Sequence, residues 1–192
     1  IRNAPCFKNG TYYSRILTVD STIFRLIFLD NSYYLPARTA DATDFVMDPY
    51  QLYWLDNELK KSDSDIEIIF MHMPLFRIPA NDMAPGRNTY YVNYQDTIPI
   101  PYELKTSKKD SLCLYSVLKN NASVKLILTG HQHSGVIHNV HVSDNYSLTH
   151  LMTGAFGYHP NNWRLIKLTG NSIIISHPGD TKKQYTIDIK SK

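Results

Sequence analysis

Leu126-Ile127-Leu128-Thr129-Gly130-His131-Gln132-His133 is an apolar run that ends in a glycine and then presents two histidines two positions apart. A second stretch, Ile66-Glu67-Ile68-Ile69-Phe70-Met71-His72-Met73-Pro74, is built alike: an apolar run delivers a histidine, and a proline then turns the chain out of the strand. Continuous apolar runs of this length fit strands covered on both faces. Chemistry in an α/β sheet gathers at the carboxyl ends of such strands.

The flanking segments agree with a sheet of this kind. Thr11 to Val19 and Ile23 to Leu29 are rich in Tyr, Ile, Phe and Leu and are separated by the polar turn Asp20-Ser21-Thr22, a pattern that predicts paired strands. Asp48-Pro49 is a helix start, with Asp as cap and Pro in the first turn. Leu52, Leu55 and Leu59 follow at helical spacing beside Trp54, and Lys60-Lys61 suits the helix end. Asp110 is expected to cap a second helix carrying Leu112, Leu114, Val117 and Leu118, closed by Asn120-Asn121. The order β-β-α-β-loop-α-β argues for an α/β sheet with crossover helices.

Two regions depart from that rhythm. Arg77 to Lys109 is rich in Pro, Tyr, Asn and Asp and has no clear periodicity, so it reads as a long insertion loop or lid. Beyond His133, Val136 to Val140, Tyr146 to Met152, Trp163 to Leu168, Ile173 to Ser176 and Gln184 to Ile189 are short runs broken by Asp-Asn, Asn-Asn, Gly-Asn or Pro-Gly turns. These predict an antiparallel meander or second sheet.

Composition excludes several classes. The chain has 192 residues, which suits a single domain with a sizeable core. Its net charge is +3 with Lys and Arg scattered, so no nucleic-acid surface is indicated. No apolar stretch approaches the roughly 20 residues of a spanning helix. Cys6 and Cys113 lack metal-ligand spacing and imply no disulfide framework. Sequons at Asn9, Asn121 and Asn145 lean weakly toward a secreted or cell-envelope location. The first residue is Ile1 rather than Met, which is compatible with a piece of a longer polypeptide.

Read on chemistry alone, His72, His131 and His133 are three imidazoles at the ends of two strands expected to be neighbours. Neutral imidazole is a common metal ligand, and nitrogen donors suit Zn, Fe, Mn or Ni better than Ca or Mg. The alternative is three ordinary turn histidines.

Taken in order, Gln51-Leu52-Tyr53-Trp54-Leu55, then His72-Met73-Pro74, then Gly130-His131-Gln132-His133 resemble the C-terminal half of the calcineurin-like metallophosphoesterase superfamily, whose pattern there is Q-x-x-W-L, H-x-P and G-H-x-H. Phe28-Leu29-Asp30 and Leu151-Met152-Thr153-Gly154-Ala155-Phe156-Gly157 resemble the strands on either side. The resemblance implies part of a two-sheet β-sandwich flanked by helices, an α/β fold with a mostly antiparallel C-terminal half. It implies hydrolysis of a phosphomonoester or phosphodiester on a phosphorylated small molecule. His72 and His131 would ligate one metal of a dinuclear centre and His133 the other, with the ions about 3.5–4 Å apart and a bridging hydroxide as nucleophile.

The family's earlier motifs, D-x-H, G-D and G-N-H-D/E, are not found upstream of Gln51 in this chain. They supply the bridging Asp, the remaining ligands and the histidine that protonates the leaving group. The chain is therefore expected to carry an incomplete site and to be inactive alone, with no catalytic residue of its own. It is expected to be a fragment of a longer enzyme, to have its missing half on another chain, or to be a non-catalytic binding or scaffolding module. Missing strands would leave an apolar edge uncovered and favour self-association.

Other residues are weaker candidates. In the Tyr-rich loop, Arg87, Tyr90 and Tyr91 are placed to contact phosphate or substrate if it acts as a lid. His159, after the small-residue strand, is placed near the cleft mouth. His138, His141, His150 and His177 read as surface or strand residues, Trp54 and Trp163 as core, and Asp30 as a strand-end residue.

Overall fold

The hairpin forms as its two strand-forming runs and polar turn predict: β1 (Tyr13–Val19) pairs antiparallel with β2 (Thr22–Phe28), from Tyr13 opposite Phe28 to Val19 opposite Thr22. Asp20 turns the hairpin with φ at 50°, a left-handed conformation that Asp tolerates. The computed structural model describes residues 11–31, 47–75, 98–99, 111–131, 133 and 135–189.

Helix α1 (Pro49–Lys60) starts where Asp48 and Pro49 predict. The Asp48 carboxylate accepts the Gln51 N–H at 3.0 Å, and Pro49 fills a position whose N–H needs no helical partner. Leu52, Leu55 and Leu59 are buried in a core shared with Ile27 and Ile69. Strand β3 (Ile66–Phe70) lies parallel to β2, and β6 (Val124–Thr129) lies parallel to β3. The two expected neighbours are neighbours.

Between them the outcome differs from expectation. Most of the segment 77–109 lies outside the described residues. From it, β4 (Ile98–Pro99) pairs with β5 (Ser111–Leu112). Helix α2 runs only from Leu114 to Lys119, so Leu112 is a strand residue. Cys113 stands extended, with φ −129° and ψ 151°, and caps the helix. Its Sγ accepts the Ser116 N–H at 3.3 Å, and the Ser116 hydroxyl accepts the Cys113 N–H at 3.4 Å. This reciprocal pair does the work assigned above to Asp110.

The strands after His133 divide between two sheets. β7 (Val136–Ser143) and β8 (Tyr146–Met152) complete the first, whose order is β1-β2-β3-β6-β8-β7. β8 is parallel to β6 and antiparallel to β7. It is buried at every position but Ser147, as an interior strand must be, while β7 alternates like an edge. Only β9 (Leu165–Leu168), β10 (Ser172–His177) and β11 (Asp180–Asp188) form the antiparallel second sheet.

Alternation in the central strands sends Ile69 and Ile127 to the helical side and Ile68, Leu126 and Leu128 to the second sheet, where they meet Ile173 and Ile175. The result is three layers: helices, a six-stranded sheet and a three-stranded sheet. The smaller sheet leaves a groove of about 370 Å³ lined by Leu17, Val19, Leu26, Ile68, Phe70 and Leu168. Ile16 and Leu17 on edge strand β1, and Leu165 on edge strand β9, are exposed. Trp163 is also exposed rather than core, standing in the irregular segment before β9; Trp54 packs at the margin of the helical core. Among the described residues no helix is long and apolar enough to cross a membrane.

Candidate metal centre

The ladder of the first sheet continues past its parallel strands. Leu29 N–H donates to Phe70 O at 2.8 Å, Met71 N–H to Leu128 O at 3.0 Å, Gly130 N–H to His72 O at 3.0 Å and Thr153 N–H to Thr129 O at 2.9 Å. These bonds align the carboxyl ends of β2, β3, β6 and β8 as one shelf. His72 and His131 leave adjacent strands of that shelf, and His131 Nδ1 stands 3.2 Å from His72 Nε2 with the rings edge to face.

A chain of buried polar groups sets this meeting. Gln51 is nearly fully buried; its Oε1 accepts the Asp30 N–H at 2.7 Å and its Nε2 donates to Asp30 O at 2.6 Å. The first turn of α1 is thereby fastened to the end of β2. The next residue, Asn31, has no exposed surface. Its Oδ1 accepts the N–H groups of His72 and Met73, both at 2.9 Å, and its Nδ2 donates to Met73 O at 2.9 Å. On the other side, Thr129 Oγ1 and His150 Nε2 lie 2.9 Å apart, buried directly below the Gly130-His131 turn. Asp30 is a strand-end residue, as expected.

Both H-x-H histidines adopt left-handed backbone, with φ 66° at His131 and 56° at His133. Such residues cost about 1–2 kcal/mol each and persist where the surroundings determine them. Partial burial, then the nearby His72 and His133, hold the His131 imidazole below its ordinary pKa, which favours the neutral form that ligates metals. His133 turns to a different neighbour, with its ring centroid 5.0 Å from that of Tyr158.

The His72–His131 pair fits one metal ion. Metal–nitrogen bonds of about 2.0–2.1 Å at tetrahedral angles place two donors about 3.3 Å apart. Among the described residues, however, no group of three or more His, Cys, Asp or Glu side chains converges as a metal site. His159 is exposed, and its Nδ1 accepts the Asn161 N–H at 3.1 Å to close a turn. Arg87, Tyr90 and Tyr91 lie outside the described residues. Asn31 was missed by motif reading; its one signal is an Asn directly past the end of a strand next to β3.

Sheet order and layers together define a fold of the metallophosphoesterase type. Among solved structures it is similar to a dimetal phosphatase from Danio rerio, with a TM-score of 0.60 and 16% identity over 93% of this chain and 61% of that one. It is similar also to GAP50, the anchor in the inner membrane complex of Plasmodium, with a TM-score of 0.55 and 16% identity over 94% of this chain and 55% of that one. PhoD matches with a TM-score of 0.54 and 11% identity over 93% of this chain and 42% of that one. The likeness is one of fold, and the chain spans about four to six tenths of these neighbours' lengths. No family model matches the chain, and no curated protein matches it in sequence.

Proposed function

We propose that this chain carries one part of a metal-dependent phosphoesterase site acting on a phosphomonoester or phosphodiester of a small molecule. The observation that carries the proposal is the His72–His131 pair, 3.2 Å apart at the carboxyl ends of adjacent parallel strands, in a fold shared with phosphatases. Bound metal ions of the Zn, Fe, Mn or Ni class would supply positive charge for phosphoryl oxygens and acidify a water molecule. His72 and His131 act as neutral donors to one ion, and His133 contributes to a second. Asn31 fixes the His72 turn, and Thr129 with His150 supports the His131 turn. The carboxylates of a dinuclear centre come from polypeptide beyond these motifs, so residues 1–192 alone bind metal incompletely and do not turn over. The exposed apolar edges of β1 and β9 favour self-association of the isolated chain.

The test is elemental analysis and aryl phosphate hydrolysis by the purified 192-residue chain. About one ion or fewer per chain without hydrolysis is expected; robust metal-dependent hydrolysis would overturn the incomplete-site proposal. Absence of any metal binding would favour a second reading, a non-catalytic scaffold. That reading is supported by the anchor role of GAP50 in the inner membrane complex of Plasmodium.

A further inference from the structure

The loop from β8 to β9 straddles the histidine turn. At one point it places Tyr158 against His133. At its end it places Arg164 against Gly135, two residues beyond His133: a Cβ built on Gly135 would lie 2.8 Å from Arg164 Nη2. The absence of a side chain at Gly135 is what lets the guanidinium lie there. Gly135 and Arg164, with Ile137, Lys183, Gln184 and Tyr185, line a cavity of about 220 Å³. Arg164 is half-buried, and burial lowers its pKa from the ordinary value while leaving it a cation. Its Nη1 donates to Trp163 O at 2.9 Å, and no carboxylate pairs with it among the described residues. Arg25, by contrast, is closed by Glu58 at 2.9 Å. Lys183 adds a second cation, shared with Asp180 at 3.3 Å.

We infer that Arg164 and Lys183 form an anion subsite that takes a second, non-reacting phosphate of a diphosphate substrate. Arginine presents paired N–H donors suited to phosphate oxygens, and among the described residues no carboxylate forms an ion pair with this one. Chain geometry limits the distance from Nη2 to the His133 Cα to about 12 Å. The identity of the anion rests on the phosphoesterase proposal; the existence of the subsite does not.

The test is calorimetric titration of the full 192-residue chain with pyrophosphate in EDTA, so that no metal contributes. Wild type is expected to bind pyrophosphate more tightly than inorganic phosphate. Arg164→Gln is expected to weaken pyrophosphate binding at least about tenfold. Gly135→Ala, by pushing the flexible guanidinium aside, weakens it severalfold, while Arg164→Lys retains part of it. Unchanged circular dichroism and thermal midpoints verify that the variants fold. Wild-type affinity in both Arg164→Gln and Gly135→Ala, or pyrophosphate binding that appears only when Zn²⁺ is added, overturns the subsite. Loss of Zn²⁺ binding with Arg164-dependent pyrophosphate binding intact would instead overturn the phosphoesterase proposal alone.

Discussion

The turn that bears His72 is tied down by three hydrogen bonds to the buried Asn31 and by the continuing sheet ladder, while His133 stands past the end of β6 with its ring against an exposed tyrosine. His131, between them, is rooted from below by the Thr129–His150 contact yet already has left-handed backbone. One half of the candidate centre is thus built by the sheet and its buried polar groups, and the other half by loops. A sheet-built pair can hold its geometry before an ion arrives. A loop-built ligand depends on neighbours that the sheet does not supply.

The largest way to break this contrast is acid. Burial first, and then His138, push the His150 imidazole down to about 3 from an ordinary 6.5. Because the folded value lies below the unfolded one, the unfolded chain binds more protons between them. The stabilisation is complete above about pH 6.5 and is lost as pH falls toward 3, an effect on the order of several kcal/mol. Urea unfolding at stepped pH should show that decline, and His150→Asn should flatten it. An unchanged slope in the variant would show that His150 is not a principal source of the acid sensitivity.

Asn31→Ala comes next. It leaves the His72 and Met73 N–H groups without their acceptor and should cost about 2–4 kcal/mol in urea unfolding. It should also weaken Zn²⁺ binding by about 10–100-fold, the usual effect of removing a group that orients a ligand. A loss of stability without any loss of metal affinity would separate Asn31 from the site.

The contrast is sharpened by paired ligand variants. His72→Ala should lower affinity for the first ion by about a hundredfold or more, whereas His133→Ala should change it less than about threefold. Equal losses would join the loop histidine to the same ion. Tyr158→Ala, an exposed residue, should shift stability by less than about 0.5 kcal/mol in the same unfolding assay.

Much of this was legible in the residues themselves. The Asp48-Pro49 start of α1 follows from one capping carboxylate and one fixed φ, and β3 and β6 follow from runs that are apolar but for Glu67 in the first and Lys125 and Thr129 in the second. The histidines at their ends were visible for the same reason. Helix α2 was placed too early because cysteine is not an expected cap, and because its Leu112 was claimed by a strand whose partner, Ile98, is distant in sequence. Short runs broken by turn dipeptides identified β7 and β8 as strands but could not say which sheet would receive them. That choice is made by burial, which puts β8 inside the first sheet. Asn31 and His150 stayed hidden because each acts on a partner far along the chain: 41 residues to His72, and 21 to Thr129.

The central claim is that His72 and His131 share one metal ion on the sheet's carboxyl edge. Titration of ¹⁵N-labelled chain with Zn²⁺, observed through the histidine ring nitrogens, tests it most directly. The account predicts that His72 Nε2 and His131 Nδ1 shift together and saturate at the same Zn²⁺ concentration, and that His131→Ala abolishes the shift at His72. Independent shifts, or movement confined to the other histidines, would contradict it.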